Sequence, residues 1–402
     1  MLKKTAFRMA FFRKRQQLVT RHPPPVTLLL MPSRLIISES ERGADMFYAT
    51  RFRAPDPFVY LEHRGKKSLL LSDLEIDRGR REAEVDEVFS FSDLQNELEP
   101  RLQRAPCSEE VIAFFIKQQG TRSVSVPRDF SLGMACDLKK WGVTTTPVKA
   151  DFFPERAIKT KSELQSLKQA LKITEAGLSR AHEILKASTI KKNRHLEWAQ
   201  QPLTSKLLRC EIEIAIVRAG GIPAGDSIIA GGQQACDPHE RGHGPLRANE
   251  LIVIDLFPRD GKSGYYGDLT RTVVRGKASS AQRHLWETCL AGQEQVLKSL
   301  KPGASGKKIH GSLQDFFTRE GYPTEQKKGR WSGFFHGTGH GLGLEIHDEP
   351  RFGKTILKSG HIFTIEPGLY IPGLGGVRHE DVVVITEKGY RLLSKFPKML
   401  EV

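Results

Sequence analysis

The sequence predicts an α/β protein of two domains, and three observations support this fold class. The chain has 402 residues with 39% apolar content, enough for two cores of ordinary domain size. Short apolar runs alternate with helix-like stretches from Met31 to about Val148. A non-periodic segment with Pro147 and Pro154 follows, and beyond it amphipathic helices precede buried strands. We therefore expect a domain boundary near residue 155.

The N-terminal domain, residues 31–155, is predicted to be a small α/β unit. Its strand-like runs are RLIIS, MFYAT, PFVYLEH, KSLLLS and SVSVP, and its helix-like stretches are EEVIAFFIKQQG and DFSLGMACDLKKWG. This alternation of short apolar runs and amphipathic stretches is typical of βα units. No cluster of chemically reactive side chains occurs there.

Residues 1–30 are predicted to be a basic extension outside both domains. Seven Lys or Arg and no acid lie in residues 1–25, about half of the net charge of +15. A transit peptide, a disordered arm and sequence upstream of a later start are all compatible with this composition. Positive charge spread over a globular body is typical of a solvated surface, so nucleic-acid binding is not predicted as a main role.

The C-terminal domain, residues 156–402, is predicted to begin with a helix. Ser162 and Gln165 fit a capping box, and apolar residues then recur at helical spacing from Leu164 to Leu185. Two later helices are predicted at about residues 281–300 and 309–317. Proline or glycine follows each of them.

Cysteine usage and hydropathy indicate a soluble protein of a reducing compartment. The five cysteines are odd in number and include no CxxC pair, which argues against a disulfide framework or a zinc ribbon. The longest apolar run, VTLLLM, is far shorter than the roughly 18 residues that span a bilayer. We expect a cytoplasmic location, or an organellar one if the Arg-rich start is a transit peptide.

Five side chains of metal-ligand type lie in apolar or glycine-rich segments of the second domain. They are Asp255 in LIVIDLFP, Asp268 in YYGDLTRTVV, His340 in HGTGHGLGLEIHD, Glu366 in FTIEPGLY and Glu380 in GGVRHEDVVVIT. Burying a carboxylate in such strands costs several kcal/mol. Bound divalent cations would offset that cost.

The first two acids are predicted to meet in a β-hairpin whose strands are LIVIDLF and YYGDLTRTVV. Like charges at close range would drive one carboxylate to its protonated form, whereas cations allow both to stay ionised. A structural alternative is that each acid forms a salt bridge with Arg259 or Arg271.

Three histidines among glycines weaken the structural alternative. His336, His340 and His347 lie within twelve residues, and the glycines permit a backbone tight enough to bring imidazoles towards a shared centre. The spacing does not match G-x-G-x-x-G and no GK[ST] occurs, so a nucleotide-binding loop is not predicted. The HExxH sequence at residues 239–243 is not predicted to be a zinc-protease helix, because Pro238 and Gly242 break it.

On these motifs, residues 155–400 resemble the pita-bread metallopeptidases, the family of Xaa-Pro aminopeptidases, prolidases and methionine aminopeptidases. The resemblance implies a pita-bread catalytic domain that holds two metal ions through Asp255, Asp268, His340, Glu366 and Glu380. It also implies that His239 and His347 contact the peptide and stabilise the developing charge. Three further candidates for contact with substrate or with the ligands are His336, Arg378 and Thr270.

The resemblance points to the proline-specific branch. DMFYATRFRAPDPFVYLEHRGKKSLLL resembles the creatinase-type N-terminal domain of that branch, and HGTGHGLGLEIHDEP is closer to its members than to methionine aminopeptidases. This implies a homodimer that binds peptides with proline at the second position. One departure is Phe257, which stands where the family has glycine, followed by a Pro258–Ser263 extension.

The expected chemistry is hydrolysis of the Xaa-Pro bond, in dipeptides or at the N terminus of longer peptides. Two divalent ions, Mn²⁺ or else Co²⁺, Fe²⁺ or Zn²⁺, would lower the pKa of water towards about 7, and Glu366 would accept its proton. Two other functions stay open: a catalytically silent protein that binds peptides or nucleic acid, and a hydrolase of a non-peptide C–N bond. The sequence does not distinguish dipeptides from longer substrates.

Overall fold

The computed structural model describes residues 32–225 and 227–402, so the predicted extension, residues 1–30, lies outside the described residues. Two compact units divide the described chain. The first contains residues up to Ile37 and Phe58–Pro147, and the second contains Ser38–Pro57 and Val148–Val402. The unit changes at Pro147, slightly before residue 155, and nothing in the sequence pattern indicated that residues 38–57 join the later unit.

Strands and helices alternate as far as Pro147, and the α/β fold class is confirmed. The elements are β1 (Arg34–Ser38), α1 (Ala44–Thr50), β2 (Phe58–His63), β3 (Lys66–Leu71), α2 (Ile76–Glu82), β4 (Glu87–Ser90), α3 (Phe91–Leu102), α4 (Ser108–Gln118), β5 (Ser123–Val126), α5 (Leu132–Lys140) and β6 (Thr144–Pro147). The six strands form one sheet in the order β4-β3-β2-β1-β5-β6. Apolar side chains of α3 and α4, including Leu94, Val111 and Phe115, fill the core of this unit.

Helix α1 shows that one strand prediction was wrong. The run MFYAT was predicted to be a strand, but it forms the last five residues of α1. Met46, Phe47, Ala49 and Thr50 are buried, a spacing that lies on one side of a helix. A five-residue apolar run is too short for its periodicity to separate a helix from a strand.

After Val148 the second unit continues with a long helix, and helices then separate groups of consecutive strands. After α6 (Lys161–Ala187), its elements are β7 (Thr189–Ile190), β8 (Leu196–Trp198), β9 (Gln201–Pro202), α7 (Ser205–Arg218), β10 (Gly221–Ile222), β11 (Ile228–Gly231), β12 (Leu251–Leu256), β13 (Arg259–Asp260), β14 (Leu269–Val274), α8 (Ser280–Ser299), α9 (Gly306–Arg319), β15 (Glu325–Lys327), β16 (Arg330–Ser332), β17 (Ile362–Ile365), β18 (Gly368–Ile371), β19 (Gly375–Arg378), β20 (Asp381–Ile385) and β21 (Tyr390–Leu392). The two later helices predicted from the sequence are confirmed as α8 and α9.

The capping box of helix α6 lies two residues earlier than predicted. The N-cap is Thr160, whose hydroxyl accepts from Glu163 N at 3.3 Å, while Glu163 Oε2 accepts from Thr160 N at 2.8 Å. This reciprocal pair is the capping box, so the prediction of Ser162 and Gln165 was wrong. In α6 one stripe of apolar side chains is buried and the opposite face is polar.

None of the helices within the described ranges combines the length and apolar composition that crossing a bilayer requires.

Four of the five predicted ligands lie in or directly beside strands of three small antiparallel sheets, β11-β12-β14, β17-β20-β21 and β18-β19. The predicted hairpin is confirmed, since β12 pairs with β14 and sets Asp255 opposite Thr270. Its tip extension folds back, with Arg259–Asp260 paired to β10. The backbone N–H of Glu380 donates to Thr270 O at 3.2 Å, which joins the ends of β14 and β20.

Buried Arg271 strengthens the junction between β14 and β20. Its Nη2 donates to Asp381 Oδ1 at 2.8 Å, and its Nη1 donates to the carbonyl oxygen of Glu380. The side chain is 1% exposed. The alternative in which Arg271 or Arg259 neutralises Asp255 or Asp268 is therefore wrong: Arg271 pairs with Asp381, and Arg259 donates to the carbonyl oxygen of Glu41.

Acid should destabilise the fold partly through His182, a buried histidine of α6 whose Nε2 has no hydrogen-bond partner among the described residues. Burial, with help from Lys186 and Arg271, lowers the pKa of His182 to about 4. The unfolded chain, with a pKa of about 6.5, takes up the proton first as pH falls. We expect His182 to remove roughly 2–3 kcal/mol from the free energy of unfolding between pH 6.5 and pH 4.

Urea unfolding of wild type and His182→Leu at pH 7 and pH 4.5 measures this contribution. The variant should lose less stability on acidification than wild type does. Replacement of an exposed histidine, His284→Gln, is the matched control. Equal losses in wild type and His182→Leu would contradict the assignment.

Candidate metal centre

A cavity of about 670 Å³ in the second unit contains nine of the ten predicted site residues. The nine that line it are Asp255, Asp268, His340, Glu366, Glu380, His239, His347, His336 and Arg378. The tenth, Thr270, is fully buried behind the wall. Side chains separated by up to 141 positions in the sequence therefore face one space, which we call the cleft.

Two of the carboxylates come from the β12–β14 hairpin. Asp255 is the fifth residue of β12, and Asp268 immediately precedes β14. Both are at least nine-tenths buried. Asp255 Oδ2 accepts from Arg378 Nη2 at 2.6 Å, but Asp255 Oδ1 is buried and has no hydrogen-bond partner among the described residues. That oxygen faces the cleft with its desolvation uncompensated.

The other two carboxylates come from the ends of β17 and β20. Glu366 directly follows β17, and Glu380 directly precedes β20. These strands pair antiparallel, with Ile365 opposite Asp381, so the two glutamates flank the same end of the ladder. Because Glu380 is also hydrogen-bonded to the β14 backbone, both acid pairs meet in one place.

Backbone pairing beside β17 places His340. Glu366 N donates to Thr338 O at 2.9 Å, and Thr364 N donates to His340 O at 2.8 Å. Between them, a Cβ on Gly339 would lie 1.8 Å from Thr364 O, closer than any real contact. Glycine at this position is therefore required for the approach that carries His340 into the cleft.

His340 faces the acids through Nε2. Its Nδ1 lies 3.0 Å from Gly341 O, and a carbonyl oxygen only accepts, so Nδ1 carries the proton. Nε2 then directs a lone pair at Asp268 Oδ2, 3.6 Å away, and at Glu366 Oε1, 3.4 Å away. Burial lowers the pKa of His340 to about 4, so these contacts are not ion pairs at neutral pH.

The charges of the cleft fit divalent cations. Burial, followed by repulsion from nearby carboxylates, raises the pKa of Asp268 and of Glu380 well above the ordinary range, and burial raises that of Glu366 to about 8. Donor atoms of Asp268, His340 and Glu380 lie within 4.8 Å of one another. Carboxylate oxygens and an imidazole lone pair at this separation are a donor set suited to metal ions.

Arg378 and Thr270 hold the acids from behind. Arg378 is buried and donates from Nη2 to Asp255, from Nη1 to the Tyr370 hydroxyl at 2.8 Å and from Nε to Thr270 Oγ1 at 3.2 Å. Thr270 Oγ1 in turn donates to Glu380 Oε2 at 2.8 Å. The two residues therefore connect Asp255 of the β12–β14 hairpin to Glu380 beside β20, and they fix the carboxylate oxygens that face the cleft.

The remaining histidines occupy different depths. His239 and His347 are exposed at the wall of the cleft, and the His347 ring packs edge-on against His340 with centroids 4.4 Å apart. His336 lies deeper and accepts from the Tyr370 hydroxyl at Nε2, 2.9 Å away. Residues 239–243 form no helix, so the HExxH sequence has no zinc-protease geometry.

The cleft lining also includes Phe335, Ile346 and Arg351, which were not singled out from the sequence, and Phe257, which was noted only as a departure from the family pattern. Phe335 and Ile346 are apolar, and nothing in a sequence separates an apolar cleft residue from a core residue. Arg351 offered a weak signal, since it follows His347 by four positions in a segment rich in site residues. Its Nε donates to Glu349 Oε1 at 3.1 Å, and its side chain is half exposed.

Comparisons with known proteins show which family model and which relatives the chain matches. The model of metallopeptidase family M24 matches residues 165–387. The chain is 34% identical to a Xaa-Pro dipeptidase of Pyrococcus furiosus over 61% of this chain and 65% of the relative, a little under two thirds of its length. It is 30% identical to a Xaa-Pro dipeptidase of Pyrococcus horikoshii over 71% of this chain and 77% of the relative.

Solved structures give the same result for the fold. The prolidase from Pyrococcus furiosus superposes with a TM-score of 0.74 at 26% identity, covering 92% of this chain and 97% of that one. The X-Pro aminopeptidase from Thermotoga maritima superposes with a TM-score of 0.77 at 22% identity, covering 92% and 98%. The predicted pita-bread fold is confirmed.

Replacing Asp268 with asparagine should abolish tight metal binding. The substitution removes one anionic donor, and we expect Mn²⁺ affinity to fall by at least about 100-fold, more than for loss of an outer hydrogen bond. In the metal-free protein, the same change relieves repulsion from Glu380, so the melting temperature should stay equal or rise. Added Mn²⁺ should then raise the melting temperature of wild type only.

Metal analysis after dialysis and thermal unfolding with and without Mn²⁺ test this expectation. Asp260→Asn is the matched control, because Asp260 is a buried carboxylate of the same hairpin that does not line the cleft. Retention of the wild-type metal content by Asp268→Asn would rule out its role as a ligand.

Proposed function

The chain belongs to metallopeptidase family M24, and from that premise we propose that it hydrolyses the Xaa-Pro bond of short peptides with divalent metal ions as cofactor. The observation that carries the proposal is the convergence of five ligand-type side chains in one cleft. The relatives from the two Pyrococcus species are named as Xaa-Pro dipeptidases, which supports the specificity for proline.

Two divalent ions are proposed to bind in the cleft. Their ligands would be Asp255, Asp268, His340, Glu366 and Glu380. When bound, such cations supply Lewis-acid polarisation of a carbonyl group and a water molecule of lowered pKa. Oxygen and nitrogen donors without thiolate support Mn²⁺, with Co²⁺, Fe²⁺ and Zn²⁺ as alternatives.

The chain's own side chains would bind the peptide and transfer the proton. Glu366, at the end of β17, is proposed to accept the proton released during attack on the carbonyl carbon. His239 and His347 lie at the wall of the cleft, and each could donate an N–H to the carbonyl oxygen as charge develops there. Arg378 and Thr270 would keep the carboxylates oriented, and His336 would support this arrangement through Tyr370.

The lining of the cleft favours a dipeptide. Phe257, Phe335 and Ile346 offer apolar contacts that suit a proline ring. Arg351 places a half-exposed guanidinium in the same lining, and its charge contributes to the lowered pKa of His347 after the larger effect of burial. The free carboxylate of the proline in an Xaa-Pro dipeptide could accept a charge-assisted hydrogen bond from this guanidinium.

The other functions considered have less support. A catalytically silent binding protein would not need the unpaired Asp255 Oδ1 and the converging donors. Hydrolysis of a non-peptide C–N bond has no observation of its own in its favour. The homodimer and the cytoplasmic location stay proposals: the first comes from the family resemblance, and the second is supported by five cysteines that are all free thiols.

A peptide panel tests the function directly. The Mn²⁺-loaded protein is incubated with Leu-Pro, Leu-Pro-Gly and Met-Ala-Gly, and mass spectrometry identifies the products. We expect cleavage before proline, fastest for Leu-Pro, and no cleavage after chelation. Cleavage of Met-Ala-Gly alone, or cleavage that persists without metal, would contradict the proposal.

Substitution of Arg351 tests the preference for dipeptides. Loss of a charge-assisted hydrogen bond costs about 1.5–3 kcal/mol, so Arg351→Met should raise KM for Leu-Pro roughly 10- to 100-fold. KM for Leu-Pro-Gly should change much less. The control is Lys354→Met, which removes an exposed cation that does not line the cleft. Equal effects on both peptides would show that Arg351 does not bind the carboxylate.

A further inference from the structure

A cluster of charges, three of them buried, lies behind the segment that carries His347. We call it the Asp348 cluster, and its members are Asp45, Arg156, Lys159, Glu345 and Asp348. None of the five is among the described residues that line the cleft. The proposed reaction therefore makes no direct use of them.

Asp348 is the centre of the cluster. Its Oδ2 accepts from Lys159 Nζ at 3.0 Å, and its Oδ1 accepts from Arg156 Nη2 at 3.1 Å and from Glu349 N at 2.9 Å. The side chains of Lys159 and Asp348 are 2% and 3% exposed. Both carboxylate oxygens thus depend on buried cations, and removal of either cation would leave a desolvated charge with too few partners.

Arg156 connects Asp348 to helix α1 and to a second point of its own loop. Its guanidinium donates to Asp45 Oδ1 of α1 at 2.6 Å and to Glu345 Oε2 at 2.7 Å. Glu345 lies in the same loop as Asp348. The Arg156 side chain therefore holds the loop at Glu345 and at Asp348, and Lys159 adds a further hydrogen bond to Asp348.

The fixed position of Asp348 determines where His347 can lie. Asp348 N donates to Gly341 O at 2.9 Å. Gly341 follows His340 and Asp348 follows His347, so this hydrogen bond closes the loop that separates the two histidines. A Cβ on Gly343 would lie 2.1 Å from Asp348 Oδ2 and 3.0 Å from Lys159 Nζ. Residue 343 must therefore be glycine for the loop to close over the cations. The rings of His340 and His347 then meet at 4.4 Å.

Stability is a weak reason for such a cluster. Desolvation of buried ion pairs offsets much of their attraction, and apolar side chains of similar volume often stabilise a fold as well or better. What ion pairs supply is a defined geometry, because each hydrogen bond restricts direction as well as distance. An exposed histidine on a loop needs such support if its ring is to stay in one position.

We propose that Arg156 and Lys159 are positioning residues for the reaction, which through Asp348 hold the His347 imidazole at the wall of the cleft. The inference rests on the proposed function for the role of His347. Neither cation touches the substrate. Their contribution is to keep the loop of residues 341–348 in the one conformation that directs His347 towards the peptide.

Enzyme kinetics of Lys159→Met and Arg156→Lys with Leu-Pro test the proposal. We expect kcat to fall roughly 10- to 100-fold, as for a displacement of about 1 Å of a reacting group, with full metal content and KM changed less than kcat. Arg156→Lys keeps the charge and loses the forked geometry, so it carries the test if Lys159→Met does not fold. Arg104→Met is the matched control, because it removes the partner of the buried Glu110 in the first unit.

A double variant separates positioning from a general structural effect. If Lys159 acts through His347, Lys159→Met should cost nothing further in a His347→Ala background. Losses that multiply in Lys159→Met/His347→Ala would overturn the proposal, and so would a loss of activity that follows a loss of bound metal.

Hydrogen exchange supplies a readout that does not depend on activity. Amides of residues 341–349, including Asp348 N, should exchange faster in Lys159→Met and Arg156→Lys than in wild type or Arg104→Met. Unchanged exchange in this segment would also overturn the proposal. A wild-type protein that cleaves no peptide would refute the proposed function, while the exchange comparison would still test whether the cations hold the loop.

Discussion

The site depends on the junction that Arg271 and the backbone bond from Glu380 N to Thr270 O form between the β12–β14 hairpin and the β17–β20 strand pair. The hairpin and the strand pair each present two acids, and neither presents enough donors for a metal ion by itself. The guanidinium of Arg271 is fully desolvated and reaches Asp381 and the carbonyl oxygen of Glu380. Because β14 and β20 are joined at this point, Asp268 lies close enough to Glu380 for burial, followed by repulsion from that carboxylate, to raise its pKa. Burial, followed by repulsion from Glu366 and Asp255, raises the pKa of Glu380.

The site is a set of anions concentrated where water is largely excluded. Four carboxylates face one buried guanidinium, that of Arg378, and the histidine beside them is neutral because burial lowers its pKa. A fold does not gain stability from such an arrangement without counter-ions. The rest of the structure offsets the free-energy cost of holding these carboxylates together. The concentrated negative charge in turn favours the binding of divalent cations.

Precision in the cleft comes from glycines and from ions outside it. Gly339 lets the loop approach β17, and Gly343 lets it close over Lys159 and Asp348. The glycine-rich segment is therefore a region of close backbone packing, in agreement with the prediction that its glycines bring the imidazoles of His340 and His347 towards a shared centre. The physical requirement is that no Cβ fits between the loop and its neighbours.

The sequence by itself determined the α/β class, the β12–β14 hairpin and helices α8 and α9. It also determined the five ligand-type residues, because charges in apolar strands and glycines around histidines are costly patterns that few structures tolerate. Two predictions were wrong because the local patterns were ambiguous. MFYAT is too short to show a period, and two overlapping capping-box patterns, Thr160 with Glu163 and Ser162 with Gln165, occur at the start of α6. Only the tertiary structure decided which cation meets which anion. Arg271 pairs with Asp381, Arg378 with Asp255 and Arg156 with Asp348, over separations in the chain of up to 192 positions. Such pairs depend on which strand ends meet in space, and no local pattern records that.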